Sequence, residues 1–438
     1  MHNEKLLVVT RNAWNESSNT GNTTSNFFNF WNKDDVANVY CRLEKIENTV
    51  CKKYFRITEN DLVKKILKKV PVGKKIIFDD FEEMNSSKNE TQDIISQKKI
   101  YNFFVKNRWI IFLWAREILW KLGGWKTKEL EKFILEFNPD IIYMPLYDCI
   151  YMHDIFRWIH SKTNAKVVLF TGDDTYTLKQ FSLSPFYWIN RFIYRSSVRK
   201  IMKITDLFYV ISNPQKKEYE KIFKRECKLL FKGGKFEGNI DVKKEYNIPL
   251  KLVYAGNISS GRWKTLANIG QAISQINGKE TKMVLDLYTL TPKTKKMLKA
   301  LNIENAIKLI PPASNQEIKE ALKNADILVH VDSFNLKDKL YWRLSFSTKI
   351  VDYLASARCI FAVGPKDVAS MDYFIKNDAA IVSTNQEEIY SQLEKIVSSK
   401  DILEEYAIKA WKCGKKNHQI KEIQNRIKCD FEEILRKK

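Results

Sequence analysis

The chain lacks most of the devices that hold small or metal-dependent folds together. Its seven cysteines (Cys41, Cys51, Cys149, Cys227, Cys359, Cys413 and Cys429) are odd in number, scattered, and free of any CxxC pair. That excludes a disulfide framework or a zinc ribbon and fits a reducing, cytosolic compartment. Histidine is scarcer still at five residues. His153 and His160 fall on one predicted helix without HExxH spacing, so no metal site is expected. Long apolar runs are missing too. Leu6–Val9 is too short for the core of a signal peptide. Trp109–Ala115 is bracketed by Arg108 and Arg116, well short of the roughly 20 residues a membrane span needs. The expectation is a soluble protein, or one that lies on a membrane surface. Acidic residues are also in deficit, 52 against 74 basic ones, for a net charge of +22. Such a balance favours phosphate-rich partners: anionic membrane, nucleic acid or phosphorylated small molecules. No nucleic-acid-binding motif accompanies the charge, so nucleic acid is not expected.

What the chain does contain is apolar residue in quantity, 44% hydrophobic and 13% aromatic over 438 residues, enough for two or three cored domains. Short apolar runs of the kind that form buried parallel strands recur: KLLVVT (5–10), PDIIYM (139–144), KVVLF (166–170) and DLFYVIS (206–212). Helical patterns such as 129–137 and 153–162 alternate with them. The polar segment 11–26, with Gly21, reads as a loop after the first strand that can approach a ligand closely. The aromatic stretch 107–125 is apolar nearly all round and predicts a core helix. In 186–203, Arg191, Arg195, Arg199 and Lys200 mix with Phe, Tyr and Trp, which suits either a solvated basic face or a surface lying on anionic lipid.

The alternation fails over 231–249, where FKGGKFEGN holds three of the fourteen glycines, and a linker is expected at 233–249. It then restarts: LVYAG (252–256), MVLDLYTL (283–290), AIKLIPP (306–312), ILVHV (327–331), CIFAVG (359–364) and AAIVS (379–383), with helices between. One of these, 315–324, is announced by a capping box of Ser314 and Glu317. The chain therefore divides into an α/β domain at 1–232, a linker, a second α/β domain at 250–414, and a C-terminal helix at 415–438 placed to pack back on the first domain. Parallel sheets covered on both faces follow from the alternation.

Two places in the second domain carry chemistry. A turn with Ser259, Ser260 and Gly261 leads into Arg262 and Lys264 at a helix start, a combination suited to a pyrophosphate; a basic surface turn is the competing reading. Ser347 and Thr348 stand at another helix start, followed by Lys349 and Asp352 at i, i+3. A cation for phosphate and a carboxylate for ribose hydroxyls, one turn apart, match the two ends of a nucleoside diphosphate. A surface ion pair is the alternative. His330 lies in a predicted buried strand, either a satisfied core residue or a contact to donor sugar or phosphate. The acidic pairs Asp173-Asp174 and Asp79-Asp80 lack the intervening residue of a DxD metal motif.

The segments LVYAGN…GRWK, ADILVHVDSF and STKIVDYLASARCIFAVGP resemble the donor half of GT-B glycosyltransferases, particularly bacterial enzymes of surface polysaccharide assembly. The resemblance implies two Rossmann-like domains facing across a cleft, with nucleotide-sugar held by the second domain and a glycan or lipid-linked acceptor by the first. It places the ribose ligand on Asp352, where Glu is usual, and the phosphate-binding cations on Lys349, Arg262 and Lys264. Ala357 stands where the family has Gly. In retaining members, two Glu residues lie seven residues apart; the first falls on Leu344, so that motif is not intact. The first domain resembles the acceptor half more weakly, and Asp173, after the KVVLF strand, is the candidate general base. A cytoplasmic hexosyl or related transferase, either free or peripheral at the inner face of the cell membrane, is thus implied, with no metal or cofactor beyond its donor substrate. The alternatives are a non-catalytic GT-B-like subunit and a nucleotide-sugar epimerase.

Overall fold

The structure, a computed structural model, describes residues 4–78 and 110–437. The Asp79-Asp80 pair and the first residues of the 107–125 stretch lie outside them. The first sheet contains β1 (Leu6–Thr10), β2 (Val36–Tyr40), β3 (Lys53–Arg56), β4 (Lys74–Ile77), β5 (Ile141–Pro145), β6 (Lys166–Thr171), β7 (Leu207–Val210) and β8 (Lys228–Leu229). Its order is β4-β3-β2-β1-β5-β6-β7-β8, parallel throughout except where β4 pairs antiparallel with β3. The second sheet contains β9 (Leu250–Ala255), β10 (Met283–Tyr288), β11 (Ile307–Ile310), β12 (Ile327–Val331), β13 (Cys359–Val363) and β14 (Ile381–Ser383). It runs β11-β10-β9-β12-β13-β14, parallel in every pair. In each sheet the order reverses at the domain's first strand, β1 or β9. The crevice beyond the strand ends at such a reversal is where open α/β sheets receive ligands.

The central strands are the continuous apolar runs of the sequence, buried at every residue in β1, β12 and β13. β2, β3 and β4 were hidden by their polarity. Asn38 interrupts β2, but it is buried with its amide donating to Val8 O and Thr10 Oγ1 at 2.9 Å each. KKII is the edge strand and exposes its lysines, and KYFR lies inside it, between β4 and β2.

Three expectations change. The polar segment after β1 is a loop only to Ser18, whose hydroxyl accepts from Gly21 N at 3.1 Å and caps a helix over Asn19–Phe28. Gly21 is buried in that helix's first turn, and a Cβ there would lie 1.9 Å from Asn15 O. It packs the helix onto its own loop and is not a loop residue open to ligand. Second, the helix over Ile110–Leu122 is buried on one side only. Trp120 is buried and stacks on Tyr151 at 4.3 Å, while Ile118 and Leu122 are 57% and 70% exposed. Third, the C-terminal tail divides at Gln419 instead of 414, because the linker pairs with it. Gly234 N donates to His418 O at 2.7 Å and Ile420 N to Gly234 O at 3.0 Å, which takes Gln419 out of helical geometry.

The last helix, Ile420–Arg436, lies on the first domain. Phe431 packs against Phe28 and Trp31, and Asp430 accepts from the Tyr209 hydroxyl at 2.6 Å and the Lys228 ammonium at 2.8 Å. Nearer the cleft, a short strap over 343–346 joins the domains. Arg343 Nη2 donates to Asp174 at 2.8 Å and Arg343 Nη1 to Glu218 at 2.6 Å, Ser212 Oγ donates to Leu344 O at 2.8 Å, and Ser345 Oγ donates to Asp173 Oδ1 at 2.6 Å. The Leu344 side chain is buried in the first domain's core. Among the described residues no helix is long and apolar enough to cross a membrane.

The Asp174 side chain is wholly buried, with Arg343 supplied by one domain and Arg191, at 3.8 Å, by its own. Removing one partner of a buried pair strands the other charge. Arg343→Ala is expected to destabilise the protein by about 3 kcal/mol in urea unfolding, whereas Lys339→Ala, at an exposed pair with Asp367, shifts it by less than about 1 kcal/mol.

Candidate functional site

The second domain's site assembles at the ends of β9 and β12. After Ala255 the chain turns through Ser260 (φ 52°) and Gly261 (φ 76°) into the helix Arg262–Asn277. Gly261 is required twice, by its left-handed backbone and because a Cβ would lie 2.1 Å from Ser333 Oγ. The amides of Arg262, Trp263 and Lys264 are already bonded to Ser259, Ile258 and Gly261 carbonyls, so the turn is closed on itself and the side chains carry the charge.

Arg262 and Lys264 do not share a face, since residues two apart on a helix diverge. Arg262 lies over the Trp342 ring at 5.3 Å and 3.6 Å from Asp332 Oδ1. Lys264 lines a neighbouring pocket of ≈ 310 Å³ with Gly261, Thr265, Ser333, Phe334 and Asn335. The paired-cation expectation for Arg262 and Lys264 is thereby replaced by a different pair. Lys349 is the first residue of the helix Lys349–Ala355 and reaches back to donate to Ala255 O at 2.8 Å. Burial, and next the Arg262 cation, depress its amine to about 8. Two like charges thus lie near enough at the mouth of β9 to act on one another, an arrangement that an anion would relieve.

Behind Arg262, Asp332 closes the end of β12. Burial alone would raise its carboxyl; His330 at 3.1 Å and Arg262 outweigh that and hold it below the usual range. Thr265 Oγ1 fixes the same residue's carbonyl at 2.9 Å. His330 therefore spends Nε2 on Asp332, and any influence on a ligand passes through that carboxylate. Asp332 and Trp342 were not singled out from the sequence, although a polar residue directly after an apolar strand is a usable signal.

Asp352 stands one turn after Lys349 without pairing to it. Its carboxylate is half-exposed and accepts both oxygens' worth of hydrogen bonding from Lys232, at 2.9 and 3.0 Å. Lys232 lies 120 residues away at the end of the first domain, just before the linker, so nothing local announced it. Ser347 and Thr348 precede the helix, and Thr348 makes no side-chain cap. Ala357 follows the helix in left-handed geometry (φ 50°), the conformation that explains the Gly usual there; holding it costs an alanine about 1 kcal/mol.

Across the cleft, Asp173 and Asp174 follow β6 and differ in fate. Asp174 is structural, as above, and also accepts from Thr177 N at 2.9 Å. Asp173 remains accessible at the cleft wall. The protein crowding it, with Asp148 and Asp174 near, raises its carboxyl, while Ser345 and Arg262 act in the opposite sense. Leu344 presents no carboxylate to the cleft. Among the described residues no cluster of His, Cys, Asp and Glu could hold a metal ion, and all seven cysteines are free thiols.

No protein-family model matches the chain, and no curated protein matches it either. Solved structures do match in fold along nearly the whole length. Sucrose-phosphate synthase from Thermosynechococcus elongatus superposes with a TM-score of 0.60 at 9% identity, covering 99% of this chain and 100% of that one. HepE of Anabaena in complex with UDP gives 0.59 at 11% identity, covering 97% and 98%. The α,α-trehalose-phosphate synthase of Burkholderia xenovorans, in complex with glucose-6-phosphate, gives 0.58 at 9%, covering 98% and 100%. The chain has the GT-B fold, two Rossmann-like domains facing across a cleft.

The depressed Lys349 has a consequence for stability. Unfolded, its amine holds a proton to about pH 10.4; folded, it does so to about 8. Between these values the unfolded state binds more protons, so this residue makes stability rise with pH. Below about pH 8 the folded protein bears the full cost of a desolvated cation. Lys349→Met is expected to stabilise the unliganded protein by on the order of 1 kcal/mol at pH 7, with the gain shrinking above pH 8, as read by urea unfolding across pH.

Proposed function

We propose that the chain is a glycosyltransferase that moves a hexosyl or related sugar from a nucleotide-sugar to a glycan or lipid-linked acceptor, in bacterial surface polysaccharide or glycoconjugate synthesis at the cytoplasmic face of the membrane. The observation that carries this reading is the meeting of Arg262, Lys349 and Asp352 at the strand reversal of a GT-B frame, two mutually repelling cations beside an oriented carboxylate. The neighbours seen with UDP, UDP-glucose and glucose-6-phosphate support a nucleotide-sugar donor and a sugar acceptor.

In this reading the diphosphate lies over the Gly261 turn between Arg262 and Lys349, with Ser347 and Thr348 at its flank. The ribose hydroxyls donate to Asp352, whose carboxylate Lys232 holds in place. His330 keeps Asp332 ionised and aimed at Arg262, and Lys264 borders the adjacent pocket. The acceptor oxygen forms its bond to the anomeric carbon as the bond from that carbon to the diphosphate breaks. The electron pair leaves with the diphosphate, where Arg262 and Lys349 offset the growing charge without a metal. The acceptor's proton passes to Asp173, whose raised carboxyl suits a base.

The burial of Leu344 favours a second reading, a GT-B subunit that binds donor without transferring it. Incubating the purified chain with labelled nucleotide-sugars separates the two: any hydrolysis or transfer removes the second. Thermal shift against a panel of nucleoside diphosphates and nucleotide-sugars is expected to give one strong class of hit. Lys349→Ala and Asp352→Ala are each expected to weaken that ligand roughly 10- to 100-fold, and unchanged affinity would remove the site assignment. Asp173→Asn should lower kcat by roughly 100-fold or more while leaving donor affinity unchanged.

A further inference from the structure

The helix Pro185–Met202 buries Tyr194, Val198, Ile201 and Met202 in its second half, but its first half is built the wrong way round for a domain surrounded only by water. Its three arginines all bond the 174–177 turn, Arg199 Nε donating to the Tyr176 hydroxyl at 2.8 Å and the other two reaching further inward. Arg191 is buried and donates to Thr177 O at 2.7 and 3.0 Å and to Asp174 O at 3.2 Å; Arg195 bonds Tyr176 O and lies over that ring at 4.1 Å. The cationic face expected from the sequence is thus partly consumed by the 174–177 turn. Facing out are Phe181, Leu183, Phe186, Ile189, Phe192 and Ile193, between 47% and 86% exposed. A surface helix ordinarily buries its apolar stripe and exposes its charges.

The neighbouring helices extend the same surface. Trp114 of the helix Ile110–Leu122 donates its indole N–H to Asn190 at 3.1 Å and packs edge-on against Phe186. That helix leaves Ile118 and Leu122 exposed, and the helix Glu59–Lys68, which packs against it, exposes Ile66 and Leu67. The ten named here, of the 25 large exposed apolar side chains among the described residues, belong to these neighbouring segments. Scattered exposed apolar residues are ordinary; a contiguous set marks an interaction surface.

Charge says what that surface meets. From Thr175 to Lys203 the chain has six cations and no acid, and from Leu62 to Phe78 six lysines and no acid. Lys64, Lys68, Lys200 and Lys203 are exposed beside the apolar groups. Apolar side chains that can enter an acyl layer, ringed by lysines at headgroup level, complement an anionic bilayer. The loop that begins the ridge leaves the cleft end of β6, and Leu178 stands five residues beyond Asp173.

We propose that this side of the first domain rests on an anionic lipid surface, inserting residues 181–193, and that the cleft receives its acceptor from that surface. The proposal deepens the function above, resting on it only for the acceptor; membrane binding is measured without donor, so either can fail alone. The full-length chain is to be sedimented with vesicles of phosphatidylcholine, and with vesicles of phosphatidylcholine and phosphatidylglycerol in equal parts. Binding to the mixed vesicles is expected, with little to the neutral ones. Leu183→Asp with Phe192→Asp, both at exposed positions, should abolish it while the thermal transition stays in place. Lys64→Glu, Lys68→Glu and Lys200→Glu should each weaken it about fivefold or more. Wild-type protein left in the supernatant of the mixed vesicles would overturn the proposal. So would binding that the aspartate variant retains, or a dimer in sedimentation velocity that the aspartate variant dissolves, which would mean that a second copy covers the ridge.

Discussion

One buried carboxylate makes the most demanding contact between the two halves of this protein. Asp174 has no access to water, and its charge is met from both sides, by Arg191 in its own domain and Arg343 in the other. Ion pairs in the interior add little net stability, but they punish separation, because parting the domains would leave a charge uncompensated in a medium that solvates it poorly. The strap that delivers Arg343 also seats Leu344 in the first domain's core and brings Ser345 onto Asp173. The shape of the cleft wall follows from this single electrostatic requirement.

The proposed donor side relies on the opposite condition, charge left incompletely answered. Lys349 is desolvated next to Arg262 and is met in hydrogen bonding by a carbonyl. An anion placed beside the two cations would gain from both charges, which is the physical basis of electrostatic preorganisation. Asp332 and its His330 partner keep Arg262 from drifting away, and Lys232 does the same for Asp352. The site is thus supported from behind by residues that need not touch a ligand.

The outer side of the first domain obeys a third rule. There the arginines of one helix are drawn inward by the carbonyls of a turn that begins at the cleft, and the apolar side chains are displaced outward. The turn that positions Asp173 and Asp174 therefore also fixes the character of the exposed face. The proposed catalytic wall and the proposed lipid-facing surface are two sides of one segment, 172–193.

Much was readable from the chain itself: the strand–helix alternation, both domains, the capping box at Ser314, the turn at Gly261, and the helix start that carries Lys349 and Asp352. These are local patterns of polarity and backbone preference, and sequence records them directly. What it did not record was partnership. The sequence offers Lys264 beside Arg262, yet helical geometry separates them and gives Arg262 to Lys349, some ninety residues on. It offers four cations on a surface helix, yet the three arginines among them all bond one turn. It gives no hint that Lys232 faces Asp352 or that Arg343 faces Asp174. Sequence by itself determined which segments become strands, helices and turns, because those follow from neighbours along the chain. Only the tertiary structure decided which charges meet, because Coulomb attraction and desolvation depend on distance and burial that arise when two sheets, a linker and a returning helix are packed together.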